Sequence, residues 1–232
     1  MPGPVTTRQK LIAAAGRVYA AAGYRGATTR RIAEVAGVNE VTIFRLFGSK
    51  AALIDELLQQ SSDTTPDALG ALPAVPVDPQ KELTAWSEMW LAEMSLRRRL
   101  IRQMLGDMAE KPEMSDCASR GPYAAVDELR RYVKQLRRHG FLDSSPGTVR
   151  GRNEEEHAAV AMLMAALFSD AISRDMMPSL YPQPAGKAPP LYVRLFLRAL
   201  HFRESTPPVA GLTPAARISR KTGATTTRAS RR

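Results

Sequence analysis

Along most of this 232-residue chain, apolar residues recur at spacings of three and four, the period of a helix with one buried face. Leu11, Ile12, Ala15, Val18, Tyr19 and Ala22 mark a first helix over roughly 6–22, with Thr6 or Thr7 placed to cap it and Gly23 to end it. A short helix follows Thr28 and Thr29, carries Ile32, Ala33 and Ala36 inward, and stops at Gly37. Another covers about 39–46, and Ser49 caps a fourth with Leu53, Ile54, Leu57 and Leu58 on its apolar side. Residues 61–79 hold four prolines and read as a loop or linker. Helical patterning resumes near 80 with one break expected at 95–97. A long amphipathic helix runs to Gly140, and a strongly apolar one begins among Glu154, Glu155 and Glu156, whose charges suit a helix start. Pro178, Pro182, Pro184, Pro189 and Pro190 mark a loop before a final helix over 191–202. No alternating β pattern with hairpin turns and no fixed-period repeat is present, so the pattern predicts an all-α protein.

The segment 28–47, TTRRIAEVAGVNEVTIFRLF, departs from an ordinary pair of surface helices. Its two short helices are joined by about four residues, as a helix-turn-helix requires. Ala33 is small enough for close approach, Gly37 permits the positive φ that leaves the first helix, and Val38 can plug the corner. Asn39 can cap the second helix. Ile43 and Phe47, four apart, point inward with Ile32 and with Val35 or Ala36. Glu40, Val41, Thr42, Phe44 and Arg45 are then left outward. An outward Val and Phe on a helix of this size fit the B-DNA major groove, where apolar contact with a thymine methyl is a normal readout.

Charge agrees with a polyanion partner. The formal net charge is +10. Residues 1–60 hold eight Lys or Arg against four Asp or Glu, residues 61–204 are neutral, and residues 205–232 hold six basic residues and no acid. The last segment is poor in large apolar residues and is expected to be disordered. Arg217, Arg220, Lys221, Arg228, Arg231 and Arg232 there would add non-specific attraction to DNA through counterion release.

Other classes are argued against by what the pattern lacks. No apolar run reaches the roughly 18 residues of a membrane span, and Arg17 interrupts the N-terminal apolar stretch where a signal peptide would not. Cys117 is the single cysteine, which fits a reducing compartment. His139, His157 and His201 are scattered without metal-ligand spacing. With no nucleophile–base set, no phosphate-binding glycine loop and no carboxylate pair, the expectation is a non-enzyme with no catalytic residues, metal or cofactor.

The block from Arg8 to Leu58 resembles the DNA-binding domain of the TetR family of transcriptional repressors. The matching features are GY after the first helix, TT before the second, IA..AGV, T-I-F-R-x-F, and SK..L, in order and without gaps. The resemblance implies an N-terminal three-helix helix-turn-helix domain over 1–60, the linker at 61–79, a helical ligand-binding and dimerisation domain over 80–204, and the basic tail at 205–232. It implies that Thr29 and Arg30 reach a phosphate or base edge. Asn39, Glu40, Val41, Thr42, Phe44 and Arg45 would serve the major groove, and Lys50 would grip the backbone. Most family members carry Tyr at the Phe44 position and often Gly or Pro at the Val41 position, so borrowed operator sequences are unreliable here.

By the same resemblance the protein is a cytoplasmic, nucleoid-associated bacterial homodimer, joined through its last two helices, that binds a palindromic operator and is released by a small-molecule effector. Candidates for the effector wall are Trp86, Met89, Trp90, Met104, Met108, Tyr123, Met162, Met164 and Phe168. The alternative is a DNA-binding regulator controlled by a protein partner, or an activator.

Overall fold

The computed structural model describes residues 5–69, 71–108, 115–143 and 149–203. Its first helix, α1 (Thr7–Gly26), starts on a reciprocal cap in which the Thr6 side chain accepts the Gln9 backbone N–H and the Gln9 side chain accepts the Thr6 N–H. There follow α2 (Thr29–Ala36), α3 (Val41–Phe47), α4 (Lys50–Leu69), α5 (Pro79–Leu96), α6 (Arg98–Met108), α7 (Ser115–Arg138), α8 (Val149–Ser173) and α9 (Ala188–Ala199). Among the described residues there is no β-strand. One antiparallel bridge, Leu142 to Phe202, ties the end of α7 to the end of α9, and the rings of Phe141 and Phe202 stack there.

Two cores form. The smaller one joins α1 to α4 through Leu11, Ala15, Tyr19, Ile32, Ile43, Leu53 and Leu57. The larger one joins α5, α7, α8 and α9 through Trp86, Trp90, Leu129, Leu163, Leu167, Val193 and Phe196. Helix α6 lies between them. Its Leu100, Met104 and Met108, four apart, pack on the smaller core. Its Arg102 donates to the Ile172 carbonyl at the end of α8 at 2.9 Å and pairs with Asp175 just beyond that end.

Several boundaries differ from the sequence pattern for identifiable reasons. The linker expected over 61–79 is shorter, because α4 continues to Leu69 and packs along α7; Arg97 donates to the Ser61 carbonyl on its way. Pro189 and Pro190 do not mark a loop. They occupy the first turn of α9, where a missing N–H costs nothing. The glutamates 154–156 lie a turn inside α8, which begins at Val149. The basic tail lies outside the described residues.

The stretch Asn153–Ser173 of α8 has the length and mean hydropathy, 1.2, of a membrane span. It packs against α5, α7 and α9 instead, and its one acid in the last turns, Asp170, is fully buried in a pair with Arg174. Tyr192 donates to the same carboxylate at 2.9 Å, and burial together with that bond pushes the Tyr192 phenol above its usual pKa.

Candidate nucleic-acid interface

Local chemistry fixes the turn between α2 and α3. Thr28 caps α2 by accepting the Arg31 N–H. Gly37 takes φ 69°, and the N–H of Val38 returns to the Ala33 carbonyl at 3.1 Å, so α2 closes in the six-to-one pattern of a left-handed stop. Asn39 then accepts the Val41 N–H at 3.0 Å and starts α3. Ile43 is completely buried, worth about 1.5–3 kcal/mol of transfer free energy, and sets which side of α3 faces the core. Phe47 is half-buried against the same core. Val35 faces solvent rather than the core, and Ala36 takes the inward place.

The opposite side of α3 carries the outward residues. Val41 is 68% exposed and Phe44 50% exposed. With Arg45 they sit at i, i+3 and i+4, on one stripe. Thr42 is half-buried at its edge. Arg30, the second residue of α2, is exposed and pairs with Glu34 one turn on at 3.0 Å.

Three of the expected DNA contacts, Thr29, Glu40 and Lys50, are engaged inside the protein. Thr29 Oγ1 donates to Glu40 Oε1, locking the start of α2 to the residue before α3. Lys50 folds back: its Nζ donates to the Tyr24 carbonyl at 2.8 Å and lies 4.1 Å from the centre of the Tyr24 ring. Thr29 and Glu40 therefore hold the two short helices in register, and Lys50 ties the start of α4 to the end of α1.

Arg8 is the residue that sequence reasoning missed. Its guanidinium pairs with Glu56 of α4, donates to the Leu46 carbonyl at 3.0 Å and covers the Phe47 ring at 4.5 Å. It places a cation on the carbonyl end of α3, where the helix dipole favours one. The Glu56 bond holds its pKa above the ordinary arginine value. The signal was only its position in the first turn of α1; the partners lie 38 and 48 residues away.

The domain junction is equally specific. Gly23 takes φ 68°, a conformation that glycine adopts without strain, and kinks α1 where the Gln103 side chain of α6 packs over it. Asp107 of α6 accepts the Tyr24 backbone N–H at 3.0 Å. The buried Tyr19 hydroxyl faces the same carboxylate, and burial, reinforced by that negative charge, raises its pKa.

The nine expected effector residues do not converge. Trp86, Trp90, Met164 and Phe168 meet in the larger core, with the Trp90 and Phe168 rings 6.5 Å apart. Met104 and Met108 face the smaller core instead, because the apolar stripe of α6 turns toward α1. Met89, Tyr123 and Met162 are exposed. Met162 is part of a different feature. On α8, Ala159, Met162, Leu163 and Ala166, and on α9, Tyr192, Leu195, Phe196 and Ala199, follow the same i, i+3, i+4, i+7 spacing and line one shallow hollow of about 120 Å³. Met162 is 71% exposed and Leu195 61% exposed. Among the described residues no group of three or more His, Cys, Asp or Glu is placed to hold a metal ion.

Comparison with known proteins bears on this arrangement. Residues 11–57 match the family model described as bacterial regulatory proteins, tetR family. The chain is 30% identical over 156 residues to YvkB of Bacillus subtilis, an HTH-type transcriptional regulator, covering 67% of this chain and 77% of that one. It is 39% identical over 59 residues to the HTH-type transcriptional repressor AcnR of Corynebacterium efficiens, covering 25% of this chain and 31% of that one. A transcriptional regulator from Rhodococcus sp. RHA1 superposes with a TM-score of 0.65 at 21% identity, over 85% of this chain and all of that one.

Proposed function

The chain belongs to the TetR family of transcriptional regulators, and on that basis we propose that it is a repressor that binds a palindromic operator as a homodimer and leaves it when a small molecule enters the helical domain. The observation that carries the DNA-binding part is the outward stripe of α3. Val41 and Phe44 stay exposed beside Arg45 while Ile43, on the opposite side, is completely buried. Exposed apolar side chains on a rigid helix of seven residues suit thymine methyl groups, and Arg45 suits a guanine edge or a phosphate.

The α8–α9 hollow supports the dimer. A two-fold axis through it would set Met162 and Leu195 against the small Ala159, Ala166 and Ala199 of a second copy, a self-complementary contact. Two copies of α3 would then read half-sites about one helical turn apart.

Helix α6 supports the effector response. It touches the end of α8 through Arg102 and the kink of α1 through Asp107 and Gln103, so a shift of the bundle changes the seat of the DNA-binding unit. Such a protein works in the cytoplasm, at the nucleoid. Selection of fragments from the source genome by the purified full chain tests the reading. Recovery of a shared palindrome with two half-sites about 10 base pairs apart supports it, and a fragment pool with no common sequence contradicts it.

A further inference from the structure

Three polar groups in the larger core have no hydrogen-bond partner: Trp86 Nε1, Ser87 Oγ and Trp90 Nε1. All three side chains are 1% exposed or less. Buried polar groups in folded proteins are paired in the great majority of cases, and each one left unpaired costs free energy. Three on one helix within five residues need a cause. At 100° per residue, positions 86, 90 and 87 follow one another across a 100° arc of α5, so the three side chains leave the same side of the helix. The Ser87 hydroxyl also forgoes the bond that a helical hydroxyl ordinarily makes to the carbonyl one turn back. Thr84, on the same helix, does make it, to the Gln80 carbonyl at 2.6 Å.

We propose that Trp86, Ser87 and Trp90 form a hydrogen-bonding rail for the effector, and that the effector is uncharged, mostly apolar and bears acceptor oxygens such as ring carbonyls. The inference rests on the effector-responsive reading above. The ligand class follows from the groups. Indole N–H donates and never accepts, so two of the three sites demand an acceptor. The rest of the core is Leu83, Leu129, Leu163, Leu167, Phe168 and Met164, which favours a flat apolar body. Charge is disfavoured, because Asp170, the fully buried carboxylate among the described residues of this half, already holds Arg174 and Tyr192.

Trp86 and Trp90 are the only tryptophans in the chain, so intrinsic fluorescence reports directly on the rail. The test titrates the full chain with two matched pairs, benzophenone against diphenylmethane and 9-fluorenone against fluorene, following tryptophan emission and, by calorimetry, affinity. The ketones are expected to bind about tenfold more tightly than the hydrocarbons, the value of one hydrogen bond to an otherwise unpaired buried donor. Ser87→Ala is expected to melt no lower than wild type, since it removes an unpartnered hydroxyl, yet to lose ketone affinity several-fold. Trp86→Phe and Trp90→Phe should abolish the preference for ketones. Equal affinity within each pair, no binding of any of the four, or wild-type ketone affinity in Ser87→Ala overturns the rail and leaves ordered water as its partner. DNA affinity is measured on the same samples. Ketone binding without DNA release sinks the effector reading while keeping the rail, and DNA release by ketone and hydrocarbon alike keeps the effector reading while sinking the rail.

Discussion

Asp107 of α6 accepts the backbone N–H of Tyr24 at 3.0 Å, and Lys50 at the start of α4 donates to the carbonyl of the same residue at 2.8 Å. One residue at the end of α1 is thus held through its N–H by the helical domain and through its carbonyl by the DNA-binding unit. Asp107→Ala takes the acceptor from a partly buried N–H and is expected to lower the unfolding free energy by about 1–2 kcal/mol. Asp107→Asn keeps an acceptor oxygen and should cost less than half of that. Urea denaturation of both variants checks this; an alanine variant as stable as wild type would show that α6 does not hold the α1 kink.

Arg8 positions α3 without facing outward with Val41 and Phe44. Arg8→Ala removes the Glu56 pair, the Leu46 carbonyl bond and the cover of Phe47 together. DNA affinity should fall about tenfold, and Arg8→Lys should recover little, because a lysine cannot span carboxylate, carbonyl and ring at once. Fluorescence anisotropy with labelled operator, alongside circular dichroism to confirm unchanged helix content, decides it. A lysine variant that binds as wild type contradicts the role given to the guanidinium fork.

Leu195 and Met162 are expected at the centre of the dimer contact. Leu195→Arg places two like charges across the two-fold axis in an apolar hollow. Light scattering coupled to gel filtration should give a folded monomer, with operator affinity reduced at least tenfold because each monomer reads one half-site. A dimer of unchanged stability would move the interface elsewhere.

Asp175 gives a pH signature. The Arg102 hydrogen bond, with the nearby charges of Arg102 and Arg98, holds its carboxyl below the ordinary value of 3.8. A carboxyl whose folded pKa lies below its unfolded one contributes stability that is complete above the unfolded pKa and is lost as pH falls through the folded pKa. The melting temperature of Asp175→Asn should therefore lie below wild type by a constant margin from neutral pH to about pH 5, and the margin should shrink below about pH 4. A margin that persists undiminished at pH 2 would assign the difference to packing rather than to the ion pair.

The helix-turn-helix was legible because its determinants are local. Thr28, Gly37 and Asn39 act within two to five residues of themselves, and Ile32 and Ile43 declare their buried faces by period alone. Contacts between distant segments were not legible. Arg8 finds Glu56 across 48 residues, and Lys50 turns back on Tyr24 rather than outward. The amphipathic period of α6 marks an apolar stripe but not which of two cores it meets, so Met104 and Met108 read as effector wall and pack instead on the DNA-binding unit. Met162 misled for the complementary reason. α8 is apolar on both sides, and sequence does not say which side the same chain covers. Pro189 and Pro190 looked like a loop, although proline is as well suited to the first turn of α9.

DNA reading by the exposed stripe of α3 is open to one direct measurement. Nuclease footprinting on the selected operator, at moderate salt, compares wild type with the triple variant Val41→Ala, Phe44→Ala, Arg45→Ala, whose buried face of α3 is untouched. Wild type should protect both half-sites symmetrically, and the folded triple variant should protect neither. No protection by wild type, or the same protection by the triple variant, would contradict the account.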